Sequence, residues 1–267
     1  MELGLSTYSY SWAVGTTGFP PARPLNEQDL LDRVRALGLK LLQIGDNLPL
    51  HTFAPGRLQA LADRARQEGV RLEVGARGLN VARVAKYAAI ARQLDAQLLR
   101  IVIDEPAFHP SPDTVIGLLR ECVPLLEGLT LGIENHDRFP AATIRLMIET
   151  VGSDRIGVCL DSSNSLGAGE GIATVVSLLA PITVNLHLKD FVITRVPHLM
   201  GFNIEGRPAG QGMLDIGWLL NQFHDQPRCR TAVLELWPPP EAQLEQTIAK
   251  EARWVEQSVS FLKPLFA

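Results

Sequence analysis

The amino-acid sequence predicts a single-domain α/β protein, a (β/α)8 barrel over residues 1–267, and three observations carry that prediction. The chain has 267 residues, close to the roughly 250 of one closed α/β barrel. Short apolar runs alternate with longer amphipathic stretches almost to its end, the pattern of successive strand–helix units. The apolar runs number eight, and their mean spacing of roughly 33 residues matches one βαβ unit of about 30 or more.

Strand one is "LGLSTY" (3–8). The segment after it, "SWAVGTTGFPPARPLN" (11–26), carries Pro20, Pro21 and Pro24 and is expected to cross the barrel mouth without regular structure. Asn26 stands where a helix N-cap belongs, before "EQDLLDRVRALG", in which Leu30, Leu31, Val34 and Leu37 form one stripe and Gly38 follows the end. "KLLQIG" (40–45) and "RLEVGA" (71–76) are the next strands, with Gly69 closing the helix between them. Asn80 caps "NVARVAKYAAIARQL", apolar at Val81, Val84, Ala88 and Ile90. "LLRIVI" (98–103) is strand four; Ser111 caps the following helix and Gly128 ends it. "LTLGIE" (129–134), "IGVCLD" (156–161), "TVNLHL" (183–188) and "TAVLEL" (231–236) complete the set, and a last helix follows with Leu244, Ile248, Val255 and Val259 on one face.

Residues 190–213, "DFVITRVPHLMGFNIEGRPAGQGM", show no clear period. A connection that long is usually functional or mobile, so it is the expected lid, with Gly201, Gly206, Gly210 and Gly212 as hinges. The competing doubly wound open sheet lacks its Gly-rich phosphate fingerprint after the first strand.

A net charge of −4, with 46% hydrophobic and 20% charged residues, describes an ordinary globular chain with no basic excess for nucleic acid. Cys122, Cys159 and Cys229 are odd in number and show no C-x-x-C spacing, which fits a reducing cytoplasm better than a disulfide framework. The N-terminal stretch lacks a positive n-region, and no window reaches the ~18 apolar residues of a membrane span, so a soluble, unprocessed protein is expected.

"TLGIENHDRF" (130–139) runs apolar and then delivers metal-capable side chains at the end of strand five. Glu134 ends that strand, Asp161 ends strand six, His187 lies near the end of strand seven and Glu235 near the end of strand eight. In a barrel these ends form one rim, where the chemistry of the fold is built. Three inward carboxylates together are costly unless paired. One divalent cation resolves this, with Mn²⁺ or Mg²⁺ preferred by ligand hardness and Co²⁺, Ni²⁺ or Zn²⁺ as substitutes. Any one of these residues alone would more commonly be a cap or an ion-pair partner.

His136 is a candidate acid–base group or an orienting partner of Glu134. Lys189, two residues beyond His187, is a candidate for stabilising an enolate oxygen, against an ion pair with Asp161 or Asp190. Asn135 and Asn164 are candidate readers of substrate hydroxyls, against turn chemistry, and Arg207 a candidate anion clamp, against a solvated loop charge. Trp12, Phe19 and Trp237 could stack on a ligand ring at the rim or serve the core or a lid. Asp104 and Glu105 read better as helix caps, and His51 and His109 carry no argued role.

The set "IENH", "CLDSSN", "LHLKD" and "LELW" resembles the xylose isomerase-like TIM barrels, which include sugar isomerases and epimerases, inosose dehydratases and apurinic endonucleases. The resemblance spans residues 2 to 262 and is most specific over 129–237, including "GRPAGQGMLDIGWLL" (206–220), similar to the family's Gly-x-Gly turn. It implies that Glu134, Asp161, His187 and Glu235 take the four metal positions. Ketose 3-epimerases of the family carry a His, a Glu and an Arg where this chain has Asn164, Pro140 and Ile193. The chain looks more like the branch of sugar phosphate isomerases/epimerases, some of whose relatives eliminate or cleave. Apurinic endonucleases bind three zinc ions with many more histidines than the six here.

The resemblance and the quartet together imply a metal-dependent sugar isomerase or epimerase working through an enediolate, with Glu134 or Glu235 as base. The alternatives are a lyase or dehydratase on a keto-sugar or inosose, with His136 or Lys189 as acid, and a sugar-binding barrel without turnover. The expected partner is a small sugar, with self-association left open.

Overall fold

The computed structural model describes residues 1–266. Eight parallel strands close a barrel: β1 Glu2–Ser6, β2 Leu41–Ile44, β3 Arg71–Arg77, β4 Leu98–Val102, β5 Thr130–Glu134, β6 Ile156–Asp161, β7 Thr183–Leu188 and β10 Thr231–Leu234, the last pairing back onto β1. Outside the barrel lie α1 Ser11–Val14, α2 Glu27–Ala36, α3 Pro55–Glu68, α4 Val81–Gln93, α5 Pro112–Cys122, α6 Ala141–Val151, α7 Ile172–Leu179, α8 Ile216–Asn221 and α9 Leu244–Leu262. None of the described helices is long and apolar enough to cross a membrane.

Local chemistry explains the helix boundaries. The Asn26 side chain accepts from the backbone N–H of Gln28 and Asp29 while the Asp29 carboxylate accepts from that of Asn26, a reciprocal cap. Asn80 and Ser111 cap α4 and α5 one way only, accepting from the backbone N–H of Arg83 and Thr114. Gly69 ends α3 at φ 65°, a conformation in which a Cβ is strained. The apolar stripes, such as Leu30, Leu31 and Val34 of α2, are buried against the sheet.

The interior is more polar than the branched aliphatic layers usual in this architecture. Gln43, Glu73, Arg100, Asn185 and Thr231 are all buried. Gln43 Nε2 donates to Glu73 Oε2 at 3.0 Å and to Asn185 Oδ1 at 3.1 Å, and Thr231 Oγ1 donates to Glu73 Oε1 at 2.7 Å. Arg100 has Gly75 and Gly132 as its register neighbours. A Cβ at Gly75 would lie 3.5 Å from Arg100 Cδ and 3.1 Å from Gly45 Cα, so the glycine makes room for the long side chain.

The segment 190–213, expected to be an irregular lid, contains an antiparallel hairpin, β8 Asp190–Arg195 with β9 Phe202–Arg207. Its root is anchored. Asp190 Oδ2 accepts from the backbone N–H of Gly210 and Gly212, each at 2.9 Å, and Oδ1 from that of Leu214 at 3.1 Å. A Cβ at Gly212 would fall 2.1 Å from Asp190 Oδ1, and one at Gly206 would fall 2.5 Å from Trp237 Cδ1. These two glycines permit close approach at the hairpin root. The segment 11–26 is also tied down, because the Glu251 carboxylate of α9 accepts from Trp12 N at 2.9 Å and Ala13 N at 3.1 Å.

Candidate metal centre

Strand register brings the candidate ligands to one height. Asp161 lies opposite His187, and His187 opposite Val233, so Glu235 follows two residues on, on the same face. Glu134, Asp161, His187 and Glu235 are 2%, 0%, 0% and 1% exposed. His187 Nδ1 lies 3.2 Å from Glu235 Oε1, 3.9 Å from Asp161 Oδ2 and 3.9 Å from Glu134 Oε2.

One oxygen of each carboxylate is held by the scaffold. Glu134 Oε1 accepts from Asn164 Nδ2 at 2.8 Å, Glu235 Oε1 from Ser6 Oγ at 2.8 Å, and Asp161 Oδ1 from the N–H groups of Ser163 and Asn164, each at 2.8 Å. Asp161 Oδ2, Glu235 Oε2 and His187 Nδ1 have no hydrogen-bond partner although all are buried. Lys189 Nζ stands 2.9 Å from Asp161 Oδ2 and 2.8 Å from Glu235 Oε2, within ion-pair range but outside hydrogen-bond angles.

Two cations therefore sit among the three carboxylates. Arg100, 2% exposed, directs Nε to Glu134 Oε2 and Nη1 to Asp46 Oδ1 at 2.5 Å, and Asp46 also pairs with Arg77 at 2.8 Å. Burial raises the Asp46 carboxyl, but Arg100 and Arg77 overcome it and hold the group well below the ordinary range. Burial likewise raises Glu235, and His187, Lys189 and Arg100 outweigh it, bringing it down to about 2. This corrects the sequence argument: Arg100 and Lys189 offset two of the three carboxylate charges, so charge alone does not require a divalent ion. What makes this a candidate cation site is the convergence of Asp161 Oδ2, Glu235 Oε2 and His187 Nδ1, none of which makes a hydrogen bond of good geometry, with Lys189 beside the two oxygens. Ligand atoms of Asp161, His187 and Glu235 lie within 4.8 Å of one another, and two carboxylate oxygens with an imidazole nitrogen suit a hard or borderline divalent cation. Cys159 also approaches Glu134 and His187. Burial, then Glu134, pushes its thiol well above the ordinary value, and it donates to Asn185 Oδ1 at 3.1 Å, so it does not compete as a thiolate.

A cavity of about 350 Å³ opens beside the centre, with Tyr8, Trp12, Asn164, Lys189, Trp237 and Pro238 in its wall. Trp12 Nε1 donates to Pro238 O at 3.1 Å, and its ring meets Phe19 edge-on at 5.5 Å. Trp237 Nε1 donates to Asp190 O at 3.3 Å.

Three other expected site residues lie elsewhere. Asn135 is fully buried; its Nδ2 donates to Asp161 O and Ser165 Oγ and its Oδ1 accepts from Asp161 N at 2.6 Å, so it braces the Asp161 backbone and has no group left for a substrate. Arg207 pairs with Glu205 at 3.2 Å on the hairpin and is absent from the cavity wall. His136 pairs with its neighbour Asp137 at 2.6 Å, and Glu134 is oriented by Arg100 and Asn164 instead. Asp104 and Glu105 pair with Arg138 and Arg83, while Ser111 caps the helix. His51 Nδ1 meets the Tyr87 hydroxyl at 3.0 Å.

Gln43, Arg100 and Ser6 were not anticipated as site residues. The available signal was a polar or charged residue in the middle of an apolar strand, as in "LLQIG" and "LLRIVI", where an inward position demands a partner.

A family model described as xylose isomerase-like TIM barrel matches residues 31–264. The 3-oxo-isoapionate decarboxylase of Pectobacterium atrosepticum is 30% identical over 264 residues, which covers 98% of this chain and 95% of that protein. Among solved structures, an IOLI protein with a bound zinc atom shares 16% identity at TM-score 0.71, covering 97% of this chain and 98% of that one. A xylose isomerase-like TIM barrel protein from Mycobacterium smegmatis in complex with magnesium shares 13% at TM-score 0.71, covering 97% and 96%. The D-psicose 3-epimerase of Clostridium cellulolyticum H10 shares 15% at TM-score 0.72, covering 98% of each chain. At these identities the solved structures share the fold.

Proposed function

The chain belongs to the xylose isomerase-like TIM barrel family, and from that premise we propose that it is a divalent-metal-dependent lyase that decarboxylates a 3-oxo sugar acid through an enolate. The observation that carries this reading is the cationic setting of both candidate bases, Glu134 against Arg100 and Glu235 against Lys189. A carboxylate held by a buried cation is poorly matched to removing a proton from carbon. Decarboxylation needs no base. The bond between the α-carbon and the carboxylate breaks, its electron pair passes into the enolate, CO₂ leaves, and one proton returns to the α-carbon. The 3-oxo-isoapionate decarboxylase, a relative matched over nearly its full length, supports the same reaction class.

Asp161, His187, Glu235 and Glu134 would hold the ion, with Mn²⁺ or Mg²⁺ preferred. When bound, it supplies positive charge against a ketone oxygen and a neighbouring hydroxyl. Lys189 is the cation on the described cavity wall; its ammonium faces the developing enolate charge, and because burial lowers its pKa less than Asp161 and Glu235 raise it, it keeps its proton and solvent supplies the one that returns to carbon. Trp12 and Trp237 offer aromatic surface to the carbon–hydrogen face of the sugar, and Asn164 keeps Glu134 in place. The buried free thiols of Cys122, Cys159 and Cys229 suit a reducing compartment such as the cytoplasm, the location we propose.

An isomerase or epimerase is the second reading. It is favoured by the presence of two carboxylates, Glu134 and Glu235, near His187 Nδ1 at 3.9 and 3.2 Å, of which one could remove a proton and the other return it.

Incubation with Mn²⁺ and a panel of 3-oxo sugar acids and neutral ketoses in deuterated water separates the two. The expected result is CO₂ release matching substrate loss, with one solvent deuterium on the product and no change in the ketoses. Isomerised ketose carrying exchanged hydrogen, without CO₂, would establish the second reading. Silence across the panel would favour a binding barrel.

A further inference from the structure

We propose that Gln43 is the positioning residue of the metal centre, and that a hydrogen-bond ring through Glu73, Thr231 and Asn185 fixes which nitrogen of His187 meets the cation. The inference rests on the metal centre but not on the reaction assigned to it.

Gln43 lies inside the barrel on β2, 1% exposed. Its Nε2 faces two acceptors, Glu73 Oε2 at 3.0 Å and Asn185 Oδ1 at 3.1 Å. Reversing the amide would set an oxygen against two oxygens, so the orientation is determined by the network. Oε1 must then be the atom that meets His187 Nε2 at 2.7 Å. Because Oε1 can only accept, Nε2 carries the hydrogen, and in the neutral ring Nδ1 holds the lone pair. That nitrogen is the buried atom without a partner that faces Asp161 and Glu235.

The neighbours of Gln43 are fixed in turn. Glu73 Oε1 accepts from Thr231 Oγ1 at 2.7 Å, and Thr231 Oγ1 accepts from Asn185 Nδ2 at 2.8 Å. Asn185 therefore turns Oδ1 toward Gln43, and the ring closes across β2, β3, β7 and β10 with every donor meeting an acceptor. Turning over any one amide breaks at least two of these bonds. His187 thus reaches the cation with its tautomer already selected. Without Gln43 the ring could protonate either nitrogen, and part of the population would present an N–H to the ion.

Two substitutions test this. Gln43→Met keeps the length and removes the amide. The exchange Gln43→Glu with Glu73→Gln restores an acceptor for His187 Nε2 and a donor from residue 73 to residue 43, with Asn185 turned over so that its Nδ2 donates to residue 43 and its Oδ1 faces Thr231. Titration calorimetry with Mn²⁺ alone should show binding weakened by about 10- to 100-fold in Gln43→Met and largely recovered in the exchange variant. With Zn²⁺, imidazole ¹⁵N spectra of the wild type should show Nδ1 ligated and a protected Nε2 hydrogen that Gln43→Met lacks. Unchanged affinity in a folded Gln43→Met protein, or ligation through Nε2, would overturn the proposal while leaving the metal centre standing. If Gln43→Met does not fold, failure of the exchange variant to bind Mn²⁺ would overturn it equally. A wild-type protein that binds no divalent ion would remove the metal reading itself, and this inference with it.

Discussion

Arg100 is a full charge inside the barrel, and its worth lies in what its loss would leave behind. Arg100→Met would strand Glu134 without its cation and leave Asp46 with Arg77 alone. Breaking one side of a buried pair typically costs about 3–5 kcal/mol, so the urea midpoint should fall sharply. Glu134→Gln made in the same background should recover part of that loss, because the two residues form one unit. Additive losses would show that the pair is not energetically coupled. At this scale the convergence of Glu134, Asp161, His187 and Glu235 was legible, since each ends an apolar strand on an inward position. Gln43 and Arg100 were not. A single polar residue in an apolar run indicates an inward demand without naming its partner, and the partner of Gln43 lies 144 residues away. Asn135 was misread because it follows Glu134 directly, and alternation turns it to the opposite face.

The helix α9 reaches across to α1 through Glu251, which is 0% exposed and accepts the N–H groups of Trp12 and Ala13. This contact holds Trp12 against the cavity. Burial raises the Glu251 carboxyl from 4.5 to about 8, against the pull of those two backbone bonds. A folded-state value above the unfolded one means that the group's contribution is fully present below about 4.5 and is lost as pH rises through about 8. Wild-type stability should therefore decline by up to a few kcal/mol across that window relative to Glu251→Gln, whose side chain stays neutral. Chemical denaturation of both proteins at intervals across the window checks this, and parallel curves would refute it. The barrel strands were readable as continuous apolar runs because both faces are covered. The hairpin of β8 and β9 was missed because it lies outside that sheet, with Phe202 60% and Ile204 43% exposed, and so lacks a buried face to set a period.

At the scale of the whole molecule, a family-level barrel with a polar interior gathers the candidate ligands where four strands end and ties Glu235, just past β10, to the neighbouring strand β1. That tie has a consequence for the order of folding. The strand that closes the barrel, β1, pairs Glu2–Leu5 with Thr231–Leu234 of β10, and its Ser6 hydroxyl donates to Glu235 across 229 residues of sequence. Contacts so distant carry the largest loop-closure entropy and form late. Asp161 and His187, on neighbouring strands β6 and β7, can meet early; Glu235 receives its Ser6 partner only when the two ends of the chain join. Pulse-labelling hydrogen exchange during refolding should find amides of β5–β7 protected before those of β1, with Mn²⁺ affinity arriving only alongside the latter. Protection of β1 at the outset would reverse the sequence of events. The candidate site then lies at the seam of the barrel, completed in the same step that ends folding, so a partly folded chain has little of it to offer an ion.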